Sequence, residues 1–217
     1  MKIIKGILVL TLIFILSSGA YAGYSAYQLF NGEQKDLGVK YTEKDYDNAV
    51  TAKAGVSVND KGSLYLGSRF RTEGKIHIEE TFSDAEISAI QEYSNNVKGP
   101  FHDVQIHFIG DGKVEASGIV TDPRIKVPGP VYVKGSVTNT GPRSFDVRID
   151  TLQVGNYKVP GPIIEIARKE FLGYVNGILS GIDGLEVEKV EISEGKVKFV
   201  GDIPEKIYGY DTSVVTE

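Results

Sequence analysis

The sequence predicts an α+β fold in which a bent antiparallel sheet packs against two helices, with the element order β-α-β-β-β-β-α-β-β. Between residues 76 and 204, short segments alternate apolar and polar side chains with the period of two that is typical of strands. Two longer segments instead repeat apolar residues with a helical period. Short turns rich in Gly and Asn join consecutive strands, and strands joined in this way must be antiparallel.

An apolar segment, residues 1–30, precedes this domain. Lys2 and Lys5 come before an uncharged run, and the first acidic residue is Glu33. This charge pattern is typical of an exported chain whose N-terminus stays inside. Residues 6–30 are long enough to span a hydrocarbon core of about 30 Å as a retained signal anchor. The segment also contains the small-x-small pattern of a signal peptide cleaved after Ala22.

Both alternatives place residues 33–217 outside the cytoplasm. We favour the anchor, because Tyr21, Tyr24 and Tyr27 lie near its outer end, where tyrosine rings pack among lipid headgroups. The expected location is the cell membrane, crossed once, with an extracytoplasmic C-terminal domain and the membrane as a partner. Secretion after cleavage at Ala22 is the alternative.

Composition excludes several function classes. The formal net charge is −5 and the chain has no Cys. An acidic chain argues against nucleic acid as a partner, and the lack of Cys excludes thiol catalysis and Cys-containing metal sites. The sequence has no phosphate-binding loop, dinucleotide fingerprint or nucleophile motif. His102 and His107, five residues apart on one predicted strand, are expected on opposite faces and so cannot share a metal. We therefore expect no cofactor and no enzymatic activity.

Residues 31–75 are polar and rich in Gly, which predicts a small polar subdomain or a linker. Within them, Thr42 and Asp45 indicate the start of a helix that runs to about Ala52, because Thr is a good helix cap and a carboxylate is favourable in the first turn. The α+β domain is expected to begin at residue 76.

The first helix of that domain follows a short strand, residues 76–79. Ser83 and Glu86 form a capping box, in which each side chain binds a free amide at the helix start. The helix is expected to run to about Asn95 and to end before Gly99-Pro100, since neither Gly nor Pro continues a helix readily.

Four strands come next, centred on residues 104–108, 114–120, 131–138 and 145–149. Gly110-Asp111-Gly112 predicts the first turn between them, and Gly155-Asn156 predicts a two-residue hairpin loop after the last. Between Ile149 and Leu152 the alternation of apolar residues slips by one position. Such a slip predicts a bulge, at which a strand bends sharply.

The second helix is predicted over residues 162–179, because Pro162 suits a first helical turn and Gly181 suits the end. Two strands, residues 185–192 and 196–201, close the domain at residue 204. Residues 205–217 show no pattern and are expected to be a disordered tail.

The placed motifs resemble those of a known group of proteins. The helix start at 81–86, the hairpin 104–120, the Val154-Gly155 to Val159-Pro160 stretch before the long helix, and the closing hairpin 191–204 resemble the YpmS-like group of membrane-anchored bacterial proteins. More remotely, the chain resembles the tubular lipid-binding superfamily. That resemblance implies a strongly curved sheet that wraps a long helix and leaves an apolar groove for acyl chains.

The favoured hypothesis is therefore an anchored, non-catalytic module that binds lipid or another apolar ligand between the 162–179 helix and the sheet. The candidate lining residues are Phe108, Val133 and Val147 on the sheet and Phe171, Leu172, Val175, Ile178 and Leu179 on the helix. The alternative is a cell-envelope scaffold with a closed core that binds another envelope protein. A lipid binder needs a groove of several hundred Å³, whereas a scaffold packs without voids.

Overall fold

A computed structural model of the chain describes residues 31–59, 69–95, 101–120 and 129–210, except for the side chains of Arg69, Asn95, Glu170, Tyr174, Ile178 and Tyr210. As predicted, this part of the chain has an α+β fold. It is mostly sheet, with three α-helices and three open sheets. The predicted anchor and the last part of the predicted tail lie outside the described residues.

The helices are α1 (Glu43–Asp47), α2 (Asp84–Asn95) and α3 (Gly161–Ser180), and a π-helical segment (Asn48–Lys53) continues α1. The strands are β1 (Ser57–Val58), β2 (Arg69–Glu73), β3 (Ile76–Ser83), β4 (Phe101–Gly110), β5 (Lys113–Val120), β6 (Pro130–Gly141), β7 (Ser144–Val154), β8 (Tyr157–Lys158), β9 (Glu186–Ser193), β10 (Lys196–Ile203) and β11 (Lys206–Tyr210).

The largest sheet has the strand order β4-β5-β6-β7-β8, the second has β3-β10-β9 and the third has β1-β11-β2. All strand pairs are antiparallel except β1 with β11. The two predicted helices correspond to α2 and α3, but the prediction of a single sheet is wrong. Strands β1 and β8 were not predicted, because a strand of two residues is too short to show an alternating pattern in the sequence.

The bulge predicted between Ile149 and Leu152 is confirmed in β7. Lys134 pairs with Thr151 while the next residue, Gly135, pairs with Ile149, so Asp150 is the extra residue. A Cβ at Gly135 would overlap the carbonyl oxygen of Arg148. Only glycine therefore fits this close approach of the two strands, and the sheet bends there.

Helix α2 lies along the free edge of β4, and we call the hydrogen bonds between them the edge ladder. Three amides of β4 donate to side chains spaced four residues apart on α2: Phe108 to Asp84 Oδ1 (2.9 Å), Ile106 to Ser88 Oγ (2.8 Å) and Val104 to Glu92 Oε2 (3.2 Å). Four helical residues rise about 6.0 Å and two strand residues about 6.8 Å. The two spacings match closely enough for three successive bonds, so the edge amides are satisfied without another strand.

The start of α2 is also tied to the π-helical segment. The predicted capping box is present, since Glu86 Oε2 accepts the Ser83 amide (2.8 Å) and the Glu86 amide donates to Ser83 Oγ (3.2 Å). The same carboxylate accepts hydrogen bonds from Lys53 Nζ (2.7 Å) and Asn48 Nδ2 (2.5 Å). Burial alone would raise the pKa of Glu86, but these hydrogen bonds outweigh it and hold the pKa below its ordinary value of 4.5.

Part of the 31–75 segment shares a core with the domain that follows it. Ala49, Ala54 and Val56 pack in one buried cluster with Phe82 of β3. The boundary drawn at residue 75 therefore does not separate two cores. The short helix predicted from Thr42 is present as α1, and the Asp45 carboxylate accepts the Thr42 amide at 2.7 Å.

Residues 206–210 form β11, so the prediction of a disordered tail is wrong for this part of the chain. This strand lies between β1 and β2 in the third sheet, and Ile207 packs against the cluster around Phe82. Its partner strands lie far earlier in the chain, and the hydrogen bond from the Gly209 amide to Asn59 Oδ1 (2.9 Å) joins residues 150 positions apart. Local sequence patterns carry no information about such a distant partner.

We expect Ser88→Ala to lower the free energy of unfolding by about 1–3 kcal/mol, because it leaves the edge amide of Ile106 without its acceptor. The measurement is urea unfolding of the full chain in detergent. Ser180→Ala, which removes an exposed hydroxyl at the end of α3, is the matched control and should change stability by less than about 0.5 kcal/mol. Equal, small effects would contradict the edge ladder.

The Glu86 carboxylate should contribute to stability in a pH-dependent way. Because its folded-state pKa is depressed, the contribution is present above the unfolded-state pKa and is lost as pH falls through the folded-state value. The difference in unfolding free energy between the parent and Glu86→Gln should be constant at neutral pH and shrink below pH 4.5. Glu194→Gln, in an exposed turn, should show no such change. A difference that grows on acidification would refute this account.

Candidate functional site

The candidate site is one face of the five-stranded sheet. Residues directly opposite each other on paired strands point to the same side of a sheet, and the strand register assigns fourteen apolar side chains to one face. These residues, the apolar face, are Phe101, Ile106, Phe108, Val114, Ala116, Val120, Val131, Val133, Val137, Phe145, Val147, Ile149, Leu152 and Val154. The predicted site residues Phe108, Val133 and Val147 are thus brought together.

The apolar face is only partly covered. Phe108 is buried, whereas the other members of the face are half-buried. Buried neighbours are found mainly at one corner, where Tyr157, Val159 and Ile164 form a small cluster with the last part of β7. A sheet of this size therefore has an apolar surface that the described chain does not close.

Helix α3 lies beside this face rather than over its centre. Ile164 packs near Leu152 and Val154. Further along the helix, Asn176 accepts the Phe145 amide at Oδ1 (3.0 Å) and donates Nδ2 to the Phe145 carbonyl (2.9 Å). The helix thus runs antiparallel to β7 and covers its free edge.

This position changes the expectation for the predicted helix residues. Leu172, Val175 and Leu179 are half-buried, but Phe171 is 46 % exposed. The expectation that Phe171 meets the sheet is therefore wrong, because the helix lies on the sheet edge and one flank of its apolar stripe is uncovered. The side chain of Ile178 lies outside the described part of the chain.

Strand β9 covers the far end of the apolar face, by which we mean the end with the β4–β5 and β6–β7 turns. The Val187 amide donates to the Pro142 carbonyl at 2.7 Å. A cavity of about 570 Å³ lies under β9, with Val137 and Phe145 on one side and Val190 on the other. Ligand sites are typically about 300–1,000 Å³, so this cavity has the volume of a small-ligand site.

A second cavity, of about 310 Å³, lies in the core that the π-helical segment shares with α2, β3 and β10. Its walls are almost wholly apolar and include Ala54, Val58, Phe82 and Ile207. An apolar pocket of this volume can take an apolar guest. None of the seven predicted site residues whose side chains are described lines this cavity or the one under β9. The second cavity could not be predicted from the sequence, because β1 and β11 were not predicted.

The opposite, polar face of the sheet is crossed by residues 31–40, which we call the strap. Lys35 Nζ lies 3.4 Å from Glu115 Oε2 and 3.8 Å from the centre of the Tyr132 ring. The amides of Leu37 and Val39 donate to the side chain of Gln105. Burial would raise the pKa of Glu115, but the Tyr132 hydroxyl and Lys35 hold it below the ordinary value.

The prediction that His102 and His107 lie on opposite faces is wrong. Asp103 has a φ of 53°, and the register of β4 shifts by one residue between His102 and Gln105. This bulge puts both histidines on the same side, where both pair with α2. His107 Nδ1 is 2.6 Å from Asp84 Oδ2, and His102 Nδ1 is 3.5 Å from Glu92 Oε1.

His77 lies elsewhere, with Nδ1 3.0 Å from Asp202 Oδ1. Within the described ranges there is no cluster of three or more His, Cys, Asp or Glu residues that could hold a metal ion. The three histidines are thus each paired with a carboxylate, and the apolar face carries no titratable side chain.

Comparison with known proteins gives no relative for this chain: no protein-family model, curated protein or solved structure matches it. The resemblance to the YpmS-like group and to the tubular lipid-binding superfamily therefore stays a prediction. None of the helices in the described ranges has both the length and the apolar character needed to cross a membrane.

The second cavity can be tested by filling it. Ala54→Val adds two methyl groups next to the void and should raise stability by about 0.5–2 kcal/mol if the void is empty. Ala89→Val is the control, because Ala89 is fully buried on α2 and is not among the cavity-lining residues. Overpacking there should destabilise by about 1–3 kcal/mol. Thermal unfolding of the full chain measures both, and equal losses would show that the second cavity has no usable space.

Proposed function

We propose that this chain is a non-catalytic, membrane-anchored extracytoplasmic protein that binds lipid or another apolar ligand on the apolar face of its five-stranded sheet. The observation that carries the proposal is the incomplete cover of that face. Its Val, Ile and Leu side chains are half-buried, and the cavity of about 570 Å³ lies at one end of it.

The energetics favour an occupant. Complete burial of a Val, Leu or Ile side chain stabilises a fold by about 1.5–3 kcal/mol relative to exposure. Half-buried members of the apolar face therefore have a substantial part of this stabilisation still available. An apolar ligand that lay along the face would supply it, while the strap already covers the polar face.

The chemistry of the surroundings indicates the ligand class. The members of the apolar face carry no charge, whereas the cavity under β9 is also lined by Thr138, Asn139, Glu188 and Lys189, of which Lys189 is paired with Glu191 at 2.7 Å. Recognition along the face would thus depend on shape and apolar contact, with polar groups at its far end alone. A hydrocarbon chain suits a face on which no side chain carries a charge.

Membrane attachment follows from the charge pattern of residues 1–30, in which Lys2 and Lys5 precede the uncharged run. Lysines on the N-terminal side favour a cytoplasmic N-terminus. The domain and its apolar face would then lie on the outer side of the membrane.

The test compares two substitutions that enlarge a valine. Val137→Phe fills space in the cavity under β9 and should remove lipid that co-purifies with the full chain, as weighed by native mass spectrometry after extraction in mild detergent. Its melting temperature should stay within a few degrees, since the cavity has room. Val58→Phe, which points at the second cavity, is the matched control and should keep the lipid.

If Val58→Phe loses the lipid and Val137→Phe keeps it, the lipid binds in the second cavity instead. A parent protein without any bound lipid, together with a large stability loss in Val137→Phe, would favour the alternative of an envelope scaffold with a closed core.

A further inference from the structure

The five-stranded sheet has a near end opposite to the end under β9, and the strap ties it to the start of the described chain. At the near end, Ile119 of β5 pairs with Pro130 of β6, and the Pro130 carbonyl accepts the Gly155 amide at 2.8 Å. Gly32 lies against this group, because a Cβ built on it would be 2.6 Å from the Gly155 carbonyl carbon.

The strap leaves little chain between the near end and the expected anchor. The apolar run that would span the membrane ends at about residue 30, and Gly32 is two residues further on. Two residues span at most about 7 Å even when fully extended. Beyond Gly32, the strap is bound to the polar face through Lys35 and Leu37, so it has no slack to let the domain move away.

The exposed large apolar side chains of the described residues are Ile119 (37 %), Ile166 (44 %) and Phe171 (46 %). Ile119 lies at the near end itself. Ile166 is on the first part of α3, which starts directly after β8 and the Gly155 turn. Side chains of this kind at the level of the headgroups gain by entering the boundary between headgroups and acyl chains.

We propose that the near end of the sheet and the adjoining part of α3 rest on the lipid bilayer, with Ile119 and Ile166 in contact with lipid. This inference rests on the anchor in the proposed function, and it adds how the domain is oriented relative to the bilayer. The far end of the apolar face, under β9, points away from the bilayer, and the near end faces it. The ligand of the apolar face would then enter from the bilayer without passing through water.

The chain has no Trp, so a single introduced Trp is an unambiguous fluorescent reporter. The full chain is reconstituted into phosphatidylcholine vesicles whose acyl chains are either unmodified or brominated, since bromine quenches Trp only at close range. Ile119→Trp and Ile166→Trp are the reporters. Lys113→Trp is the matched control, because Lys113 lies on the same strand and the same sheet face as Ile119, about 20 Å away at 3.3 Å per residue.

If side chains at the near end enter the boundary to a depth of about 5–10 Å, fluorescence of the Ile119→Trp and Ile166→Trp variants should fall by about half in the brominated vesicles. Fluorescence of the Lys113→Trp variant should not change. Equal quenching of the Ile119→Trp and Lys113→Trp variants, or none in either, would overturn the proposal. A blue shift in the Ile119→Trp variant that depends on protein concentration but not on bromine would also overturn it, in favour of contact with a second copy.

Sedimentation of the parent protein with the vesicles after a high-salt wash separates the two proposals. A protein that does not sediment lacks the anchor, and both the orientation and the membrane part of the proposed function are then wrong. If the protein sediments but shows no selective quenching, the anchor and the lipid-binding proposal stand and only the proposed orientation is wrong.

Discussion

The need to cover the two edges of the five-stranded sheet determines much of this structure. An uncovered strand edge presents amides and carbonyls that would pair with other chains. In the edge ladder, Asp84, Ser88 and Glu92 accept hydrogen bonds from the amides of β4. At the other edge, the side chain of Asn176 on α3 binds the amide and the carbonyl of Phe145 on β7. Since both long helices lie at the edges, neither is available to cover the apolar face, which explains why that face is open.

Local features of the fold could be predicted from the sequence because their causes are local. The capping box of Ser83 and Glu86, the bulge at Asp150 and the Gly155 hairpin loop each depend on residues a few positions apart, and all are present. Features that depend on distant partners could not be predicted. The β11 strand pairs with residues far earlier in the chain. The bulge at Asp103, which reversed the expected direction of His102, was missed although the apolar alternation slips between Phe101 and Val104.

The candidate site was predictable to the same extent. Alternation alone identified Phe108, Val133 and Val147 as neighbours on one face, and the register agrees. The direction of the α3 stripe was not predictable, because it depends on Asn176, a polar residue within an apolar helix, that fixes the helix at an edge. The cavity under β9 depends on the hydrogen bond from the Val187 amide to the Pro142 carbonyl, and no sequence pattern indicates that these two residues are neighbours.

Together with the proposed anchor at residues 6–30, the strap would also limit where this domain can act. A domain joined to its anchor by a long flexible linker explores a volume of solution above the membrane, and its reach grows with the square root of linker length. Lys35, Leu37 and Val39 fix the strap on the sheet, so with the proposed anchor that volume would collapse to a thin layer. The protein would then diffuse in two dimensions and would meet only those molecules that lie in the same membrane or project into that layer.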